Sequence, residues 1–263
     1  MPNHQLDNIK AVIKEPLEKV HKVYTDRLHS SVALLQEVND YVSGNGGKEL
    51  RTILLLLSAA SATGSGQSIT DTTIKCAAAM EMLHNASLMH DDVVDEACER
   101  RGKLSVRQRW NNKLAVLCGD YYLAQVMRLL KEIDDKQAFD TVNRTVTEMS
   151  EGEVLQQQYI ATGRLDRDTY YEILRRKTAS LMEACCELGN PAMKNFGKHY
   201  GMAFQLWDDL NDYTEDSSIP KPPIDELVQK KDLHIAAAKE ALSHLPPSHY
   251  KDAITSLIEI LNN

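Results

Sequence analysis

The feature that most constrains how this sequence can fold is the scarcity of residues that interrupt helices. Its 263 residues include 12 glycines and 8 prolines, and alanine, leucine, methionine, glutamate, lysine and glutamine dominate the segments between them. These six residue types favour helices, and almost no segment alternates apolar and polar residues for long enough to form a strand. The sequence therefore predicts an all-α protein with helices of roughly 12 to 25 residues. The predicted breaks between helices are residues 43–47, 63–66, 101–102, 162–163, 189–191 and 219–223.

The composition excludes several classes of protein. A hydrophobic content of 43% and a charged content of 26% argue against a membrane protein, and no apolar run is long enough for a transmembrane segment. The net charge of -8 gives no indication of a nucleic-acid-binding surface. The five cysteines show neither Cys-x-x-Cys spacing nor a disulfide framework, so we expect reduced thiols. Because no signal-peptide pattern follows Met1, we expect a cytoplasmic protein.

An Asp-Asp-x-x-Asp motif at residues 91–95 ends an apolar segment that starts at Met80. In a helix, Asp91 and Asp95 lie one turn apart on the same face, with their β-carbons about 5–6 Å apart. Carboxylates this close repel each other, and the negative end of the helix dipole disfavours them further. A bound cation would remove this cost, and oxygen ligands without cysteine or histidine favour Mg²⁺ over zinc or copper. A solvated acidic helix end explains one such motif about equally well.

A second Asp-Asp-x-x-Asp motif at residues 208–212 changes this balance. It follows the apolar run at 204–207 and again places two aspartates, Asp208 and Asp212, on one face of a helix. Two acidic clusters that both emerge from core helices are difficult to explain as solvated surface. If the two helices face one another, six carboxylates line one opening. The pair therefore predicts a site for several divalent cations and a polyanionic ligand.

Three basic segments could supply the cations that a diphosphate needs from the protein. Arg100-Arg101 follows the first motif closely enough to turn back over it. The segment 46–51 places a lysine and an arginine after two glycines, and Lys177-Thr178 lies in an otherwise apolar helix. Arginine suits bidentate contacts with phosphate, and lysine acts as a point charge. Taken singly, the first two segments are better explained as helix caps with solvated charges.

Together these segments resemble the trans-type isoprenyl diphosphate synthases, also called polyprenyl synthetases. The resemblance implies an antiparallel helix bundle around a central cavity, the isoprenoid synthase fold, in a protein that forms homodimers. It also implies a reaction, the head-to-tail 1'-4 condensation of an allylic diphosphate with isopentenyl diphosphate to an all-trans product. The segments that match, in the order of the family, are 46–51, 81–102, 112–124, 177–181 and 201–213.

The resemblance also implies roles for individual residues. Three Mg²⁺ ions would be held directly by Asp91, Asp95 and Asp208. Three further aspartates would support these ligands: Asp92, Asp209 and Asp212. The allylic diphosphate would be held by Arg100, Lys177, Thr178, Gln205 and Lys221. The diphosphate of isopentenyl diphosphate would be held by Lys48, Arg51, His84 and Arg101. The catalytic set would comprise Asp91, Asp92, Asp95, Lys177, Asp208 and Asp209. Without the resemblance, His84 is an ordinary buried polar residue in a helix.

Two small residues before the first motif bear on product length. In this family, bulky aromatic residues at these positions stop chain growth early, whereas this sequence has Ala86 and Ser87. The first motif also has two residues between its aspartates, not the four common in bacterial farnesyl enzymes. Both features resemble medium- and long-chain synthases and predict a product longer than geranylgeranyl diphosphate (C20). The floor of the chain tunnel is expected near Met80, Leu83, Tyr122, Val126 or Met127, positions that ordinary helix core explains as well.

The sequence departs from the family pattern at several positions. Glu49 and Thr52 replace a common arginine and proline, and Asn111 replaces a common glycine. Lys221 lies between two prolines, where the family has Gly-Lys-Pro. After Lys221 the chain is tens of residues shorter than the family pattern and runs almost directly into segments like the family's last helices. We expect one domain over residues 1–263 with this shortened region after about residue 221, and a changed loop over the diphosphates.

Three alternatives to a long-chain synthase stay open at this point. A non-catalytic or weakly active subunit of a heteromeric prenyl synthase usually lacks the aspartates, whereas all six are present here. A short-chain synthase would make farnesyl or geranylgeranyl diphosphate in the same kind of site. A terpene cyclase would not need the second diphosphate site that the segments 46–51 and 100–102 indicate.

Overall fold

The part of the chain that the structure describes is predominantly helical, as its composition predicts. The computed structural model describes residues 3–44, 47–64, 68–164, 166–213 and 219–262. Gly46 and part of the predicted break at 63–66 lie outside these residues. The first five helices are α1 (Asn3–Val12), α2 (Lys14–Leu28), α3 (Ala33–Ser43), α4 (Leu50–Ser61) and α5 (Asp71–Val94).

A short hairpin follows α5. Its strands, β1 (Glu99–Arg100) and β2 (Lys103–Leu104), pair antiparallel with Glu99 opposite Leu104. In the part of the chain that the structure describes, this hairpin is the only sheet. The helices that follow are α6 (Val106–Arg109), α7 (Asn112–Ile133), α8 (Lys136–Thr162), α9 (Arg167–Leu174), α10 (Ser180–Gly189), α11 (Lys194–Asn211), α12 (Ile224–Ala241) and α13 (His249–Ile260).

Helices α4 and α5 lie at the centre of the bundle. Every residue of α4 except Arg51 is buried, and α5 packs against α2, α4 and α7. A helix that is apolar around most of its circumference is expected at such a position. Helix α10 approaches α4 so closely that a β-carbon added to Gly189 would lie 2.3 Å from the carbonyl oxygen of Leu55.

A π-helical turn, Arg175–Ala179, joins α9 directly to α10. Glycines let two helices approach this turn. A β-carbon on Gly152 of α8 would lie 2.8 Å from Cβ of Arg176, and one on Gly201 of α11 would lie 2.7 Å from Cα of Ala179. The turn is therefore held between α8 and α11, at distances that a larger residue could not adopt without a shift.

Several predicted breaks are confirmed within the described residues. Gly102 adopts a φ of 72° in the hairpin turn, and Gly163 adopts a φ of 60° where α8 ends. Both values lie in the left-handed region that glycine enters at little cost. The predicted break at 189–191 separates α10 from a short 3₁₀ turn (Pro191–Met193), and the one at 219–223 leads into α12.

One hydrophobic core extends from α1 to α13. A second, smaller cluster joins α8, α9, α11 and α12 through residues such as Tyr159, Tyr170, Leu206 and Leu227. All five cysteines are free thiols. Among the residues described, no helix combines the length and the apolar character that crossing a bilayer requires.

Candidate active site

Both aspartate motifs lie at the C-terminal ends of long helices, as predicted. Helix α5 ends in the first motif and α11 in the second, and the last aspartate of each motif caps its helix in the same way. The N–H of Asp95 donates to the carbonyl oxygen of Asp91 at 2.8 Å, and the N–H of Asp212 donates to that of Asp208 at 3.0 Å. The outer aspartates of each motif are therefore one helical turn apart.

The two helix ends open into one cavity of about 480 Å³. The three predicted metal ligands, Asp91, Asp95 and Asp208, all lie in its wall. Seven other residues singled out from the sequence also line it, namely Arg51, His84, Ser87, Arg100, Lys177, Thr178 and Gln205. The structure thus brings both motifs and most of the predicted phosphate contacts together.

Burial disfavours the charged forms of the aspartates in this wall. It raises the pKa of Asp91 to about 6, against the opposing charge of Lys177 and with further help from Glu153 and Asp95. Burial also raises the pKa of Asp95, and burial with the charges of the other aspartates of its motif raises that of Asp208. A divalent cation between them would favour the ionised forms.

The carboxylates fit magnesium that is bound together with a substrate. Across the described ranges, no three His, Cys, Asp or Glu side chains converge as the ligands of one metal ion. Magnesium, however, commonly takes one or two carboxylates and fills its other positions with water and phosphate oxygens. Asp91, Asp95 and Asp208 offer oxygen ligands toward a shared cavity, which is the donor set that such a site requires.

The hairpin places two arginines beside the first motif. Nε and Nη2 of Arg100 donate to the same oxygen of Asp92, Oδ1, at 2.9 and 2.6 Å. Asp92 is buried and is not among the residues that line the large cavity, so it contacts the site through Arg100. The turn residues Arg101 and Gly102 have φ values of 55° and 72°, as a type I′ hairpin turn requires.

Side-chain hydrogen bonds link the second motif to the π turn. Gln205 donates through Nε2 to Oδ1 of Asp209 at 2.9 Å and accepts from the hydroxyl of Thr178 at 2.7 Å. The other oxygen of Asp209 accepts from the hydroxyl of Tyr170. Asp209 therefore orients Gln205, and Gln205 in turn orients Thr178.

Lys177 reaches the cavity from the π turn. Its Nζ lies 2.5 Å from Oε2 of Glu153 and donates to Oε1 of Gln156 at 3.3 Å. Both partners are on α8, which approaches the turn at Gly152. Single π turns inside helices are frequent at functional sites because they redirect side chains. Here the turn presents Lys177 and Thr178 to the same cavity.

A second group of cations lies at the edge of this cavity. Arg51 is largely buried, and its Nε has no hydrogen-bond partner among the described atoms. Nη2 of Arg101 lies 3.5 Å from Nε2 of His84. Burial and the nearby arginines hold the pKa of His84 well below its usual range, so His84 is neutral at physiological pH. A buried donor without an acceptor is costly, and an anionic ligand would satisfy it.

Two predicted lysines approach the second motif from outside the cavity wall. Nζ of Lys48 lies 5.8 Å from the ring centroid of Trp207, next to Asp208. Nζ of Lys221 donates to the carbonyl oxygen of Asp212 at 3.5 Å. Both charges lower the pKa of Asp208, against the larger effect of burial. Neither lysine is among the residues that line the cavity.

Only one of the two predicted chain-length residues lines the cavity. Ser87 lines the cavity, whereas Ala86 is fully buried in the core and is not part of the wall. The deeper candidates Met80, Leu83, Tyr122 and Val126 are also buried in the core. Met127 lies on the surface of α7 with 55% of its area exposed, so its expected place at a tunnel floor is wrong for the single chain.

The structure adds residues that the sequence did not single out. Glu153 and Gln156 bind Lys177, and Tyr170 binds Asp209. One signal was available, since Gly152 interrupts a long helical pattern and isolated helix glycines often mark close packing. Tyr170 lies 39 residues from its partner, and no local pattern connects them.

Comparison with known proteins identifies the family of this chain. The family model named polyprenyl synthetase matches residues 32–240. The all-trans-nonaprenyl-diphosphate synthase (geranyl-diphosphate specific) of Rhodobacter capsulatus is 35% identical over 234 residues, which cover 85% of this chain and 71% of that protein. Heptaprenyl diphosphate synthase component 2 of Geobacillus stearothermophilus is 33% identical over 236 residues, which cover 85% and 69%.

A solved structure extends the similarity to the fold. The polyprenyl synthase from Caulobacter crescentus CB15, complexed with calcium and isoprenyl diphosphate, superposes with a TM-score of 0.85 at 26% identity. The superposition covers 97% of each chain. The helical bundle is thus the isoprenoid synthase fold that the sequence predicts. The chain belongs to the polyprenyl synthetase family.

Proposed function

We propose that this chain is a Mg²⁺-dependent polyprenyl diphosphate synthase, which extends an allylic diphosphate with isopentenyl diphosphate. The observation that carries the proposal is one cavity that joins both aspartate motifs and borders the cations Arg51 and Arg101. The aspartate side suits metal ions with one diphosphate. The arginine side suits a second diphosphate, which an enzyme that joins two diphosphate substrates needs.

The aspartate side would hold the allylic substrate. Asp91, Asp95 and Asp208 would hold the Mg²⁺ ions, which supply Lewis acidity to the leaving diphosphate. Lys177 adds a fixed positive charge in the cavity wall, where charge develops on the leaving group. The hydroxyl of Thr178 donates to Gln205, so the position of this side chain is already fixed before substrate binds.

The arginine side would hold isopentenyl diphosphate. Arg51 supplies a buried N–H without an internal acceptor, and Arg101 supplies a guanidinium beside His84. Charged hydrogen bonds to phosphate are strong, and arginine can make two in parallel. A neutral His84 can donate one hydrogen bond without adding charge. Lys48, at the same segment, would add a point charge.

Apolar side chains would keep water from the reacting carbons. The cavity wall also contains the apolar residues Leu88, Met149, Leu181 and Phe204. A closed, dry site prevents water from capturing a reactive carbocation before the second substrate does. The chain residues in this region therefore act by excluding solvent and by aligning the two substrates.

We propose a product longer than geranylgeranyl diphosphate. The small side chain of Ser87 leaves the cavity wall open at a position where an aromatic ring would narrow it. The relatives named nonaprenyl and heptaprenyl diphosphate synthases support the same product class.

We propose a homodimer as the assembly. Val116 and Met127 lie three turns apart on one face of α7 and are 40% and 55% exposed, which supports a covered apolar face. A second candidate is the catalytic component of a heteromer, because one relative is named component 2 of a synthase. Light scattering of the purified chain separates the two, since a monomer without activity would favour the heteromer.

The decisive experiment supplies labelled isopentenyl diphosphate, farnesyl diphosphate and Mg²⁺ to the purified protein. We expect extractable polyprenyl diphosphates longer than C20, and loss of product with Asp208→Asn but not with Asp26→Asn on the exposed face of α2. A hydrocarbon product would indicate a cyclase. No incorporation by the pure dimer would contradict the proposal.

A further inference from the structure

Glu49 occupies a conformation that must be held by contacts elsewhere. It replaces the arginine common in the family at this position and has φ 56° and ψ 28°. Left-handed backbone is strained in a residue other than glycine and persists where surrounding contacts enforce it. Glu49 immediately precedes α4, but its side chain makes no hydrogen bond that caps the helix.

The carboxylate of Glu49 instead binds two helices that are distant in the sequence. Lys10 of α1 donates from Nζ to Oε2 at 2.6 Å, and Nε2 of His21 of α2 contacts Oε1. The side chains of Glu49 and Lys10 are 20% and 26% exposed, so solvent weakens this pair less than it weakens a surface pair. We call the three residues Lys10, His21 and Glu49 the carboxylate clasp.

Within the clasp, Glu49 lies in the segment that carries Lys48 and Arg51, two proposed contacts of the second diphosphate. Lys48 directly precedes Glu49, and Arg51 is in the first turn of the helix that Glu49 begins. The guanidinium group of Arg101 packs against Gly47: a β-carbon added to this glycine would lie 2.7 Å from Cζ of Arg101. A displacement of Glu49 would therefore move Lys48 and Arg51 relative to Arg101.

The clasp also affects how strongly the negative charge of Glu49 acts on Arg51 and Arg101. A cavity of about 390 Å³ is lined by the clasp together with Glu81 of α5 and Arg101 of the hairpin. An unpaired carboxylate at residue 49 would compete with a diphosphate for nearby cations. Lys10 and His21 pair with this carboxylate, so less of its negative charge acts on Arg51 and Arg101.

We propose that Glu49 is a positioning residue for the second diphosphate: pairing with Lys10 and His21, it fixes the segment that carries Lys48 and Arg51. The proposal rests on the proposed function for the identity of this ligand. It assigns the clasp no part in binding the metals or the allylic substrate. Loss of the clasp should therefore weaken the binding of isopentenyl diphosphate and leave the binding of the allylic substrate unchanged.

The test measures the Kd of isopentenyl diphosphate by calorimetry in EDTA, and in parallel the KM values of both substrates. For Glu49→Gln and Lys10→Met we expect a rise of about fivefold or more in Kd and KM for isopentenyl diphosphate, as loss of a partly buried pair predicts. The KM for the allylic substrate should stay within about twofold. Matched controls are Glu18→Gln and Lys14→Met, a pair 4.0 Å apart with both side chains largely exposed.

The dependence on pH provides a readout that a purely structural role would not move. The bond to Glu49 raises the pKa of His21, against burial, with Lys10 and Glu81 acting in opposite directions. The charged His21 contributes below its raised pKa, and this contribution is lost as the pH rises through it. The Kd of wild-type protein should increase over that range more than the Kd of His21→Gln, because titration of the ligand affects both equally.

Three outcomes would overturn the clasp. The first is an unchanged Kd of isopentenyl diphosphate in Glu49→Gln and Lys10→Met, and the second is a lower Kd in Glu49→Gln. The third is an equal rise in the KM values of both substrates. Thermal unfolding of each variant identifies a protein that has not folded, and the surface controls show the effect of charge alone. Since the Kd is measured without turnover, an inactive wild-type protein would contradict the proposed function while leaving the clasp measurable.

Discussion

Replacing Asp91 by asparagine should stabilise the metal-free protein and abolish its stabilisation by magnesium and diphosphate. Asparagine keeps the size of the side chain and removes the charge that burial penalises. The pKa of Asp91 rises from 3.8 to about 6, and about 2 units correspond to about 3 kcal/mol at neutral pH. Because the carboxylate borders a cavity open to solvent, screening reduces this to roughly 1–2 kcal/mol.

The size of this effect depends on pH. A carboxyl whose folded pKa is raised destabilises the fold above that pKa, and the cost disappears below the unfolded pKa. The advantage of Asp91→Asn should therefore be fully present above about pH 6, decrease as the pH falls, and vanish below about pH 4.

Urea unfolding in EDTA at several pH values measures the effect. We expect Asp91→Asn to be more stable than wild type at pH 7.5 and equal to it at pH 4. With Mg²⁺ and pyrophosphate added, the order should reverse, because only the wild type gains binding energy. Asp26→Asn on the exposed face of α2 is the control. A metal-free Asp91→Asn protein that is less stable than wild type at pH 7.5 would refute the reasoning.

Three further predictions follow from contacts in the same site. Gly152→Ala should lower the free energy of unfolding by about 1–2 kcal/mol, since overpacking against Arg176 outweighs the helix propensity gained. The same change should raise the KM of the allylic substrate, and an unchanged KM would contradict the role of the π turn. Arg51→Lys should raise the KM of isopentenyl diphosphate about tenfold, because one charged bidentate contact is lost, whereas an unchanged KM would place that substrate elsewhere. Ala86→Phe should shorten the products seen by chromatography and, because Ala86 is fully buried, destabilise the protein by about 1–3 kcal/mol; an unchanged product distribution would exclude residue 86 as part of the tunnel.

The helical fold and both motif positions could be predicted because local patterns determine them. Long segments without glycine or proline favour helices, and Gly163 marks the end of α8 by its own conformation. The hairpin could not be predicted, since strands of two residues carry no alternation to detect. Its pairing depends on a turn in which Arg101 adopts a positive φ, which arginine does not favour by itself.

Individual contacts in the site were predicted less well than its composition. Lys177 was identified by its motif, but its partner Glu153 is 24 positions earlier in the chain and is brought close by packing at Gly152. Ala86 and Ser87 are adjacent in sequence, yet successive residues of a helix point in directions about 100° apart, and only Ser87 lines the cavity. Tertiary packing, which no local pattern encodes, decided both cases.

The π turn between α9 and α10 makes the fold and the site respond differently to a change in chain length. A π turn holds one residue more than an α-helical turn. Deleting one residue from an ordinary helix rotates everything beyond it by about 100°. Deleting one from Arg175–Ala179 would instead return this stretch to a regular helix and keep the buried faces of α9 and α10 in phase. A chain shortened here would thus still assemble the bundle, but Lys177 and Thr178 would point in different directions. The orientation of these two side chains therefore depends on the π turn, whereas the packing of the bundle does not.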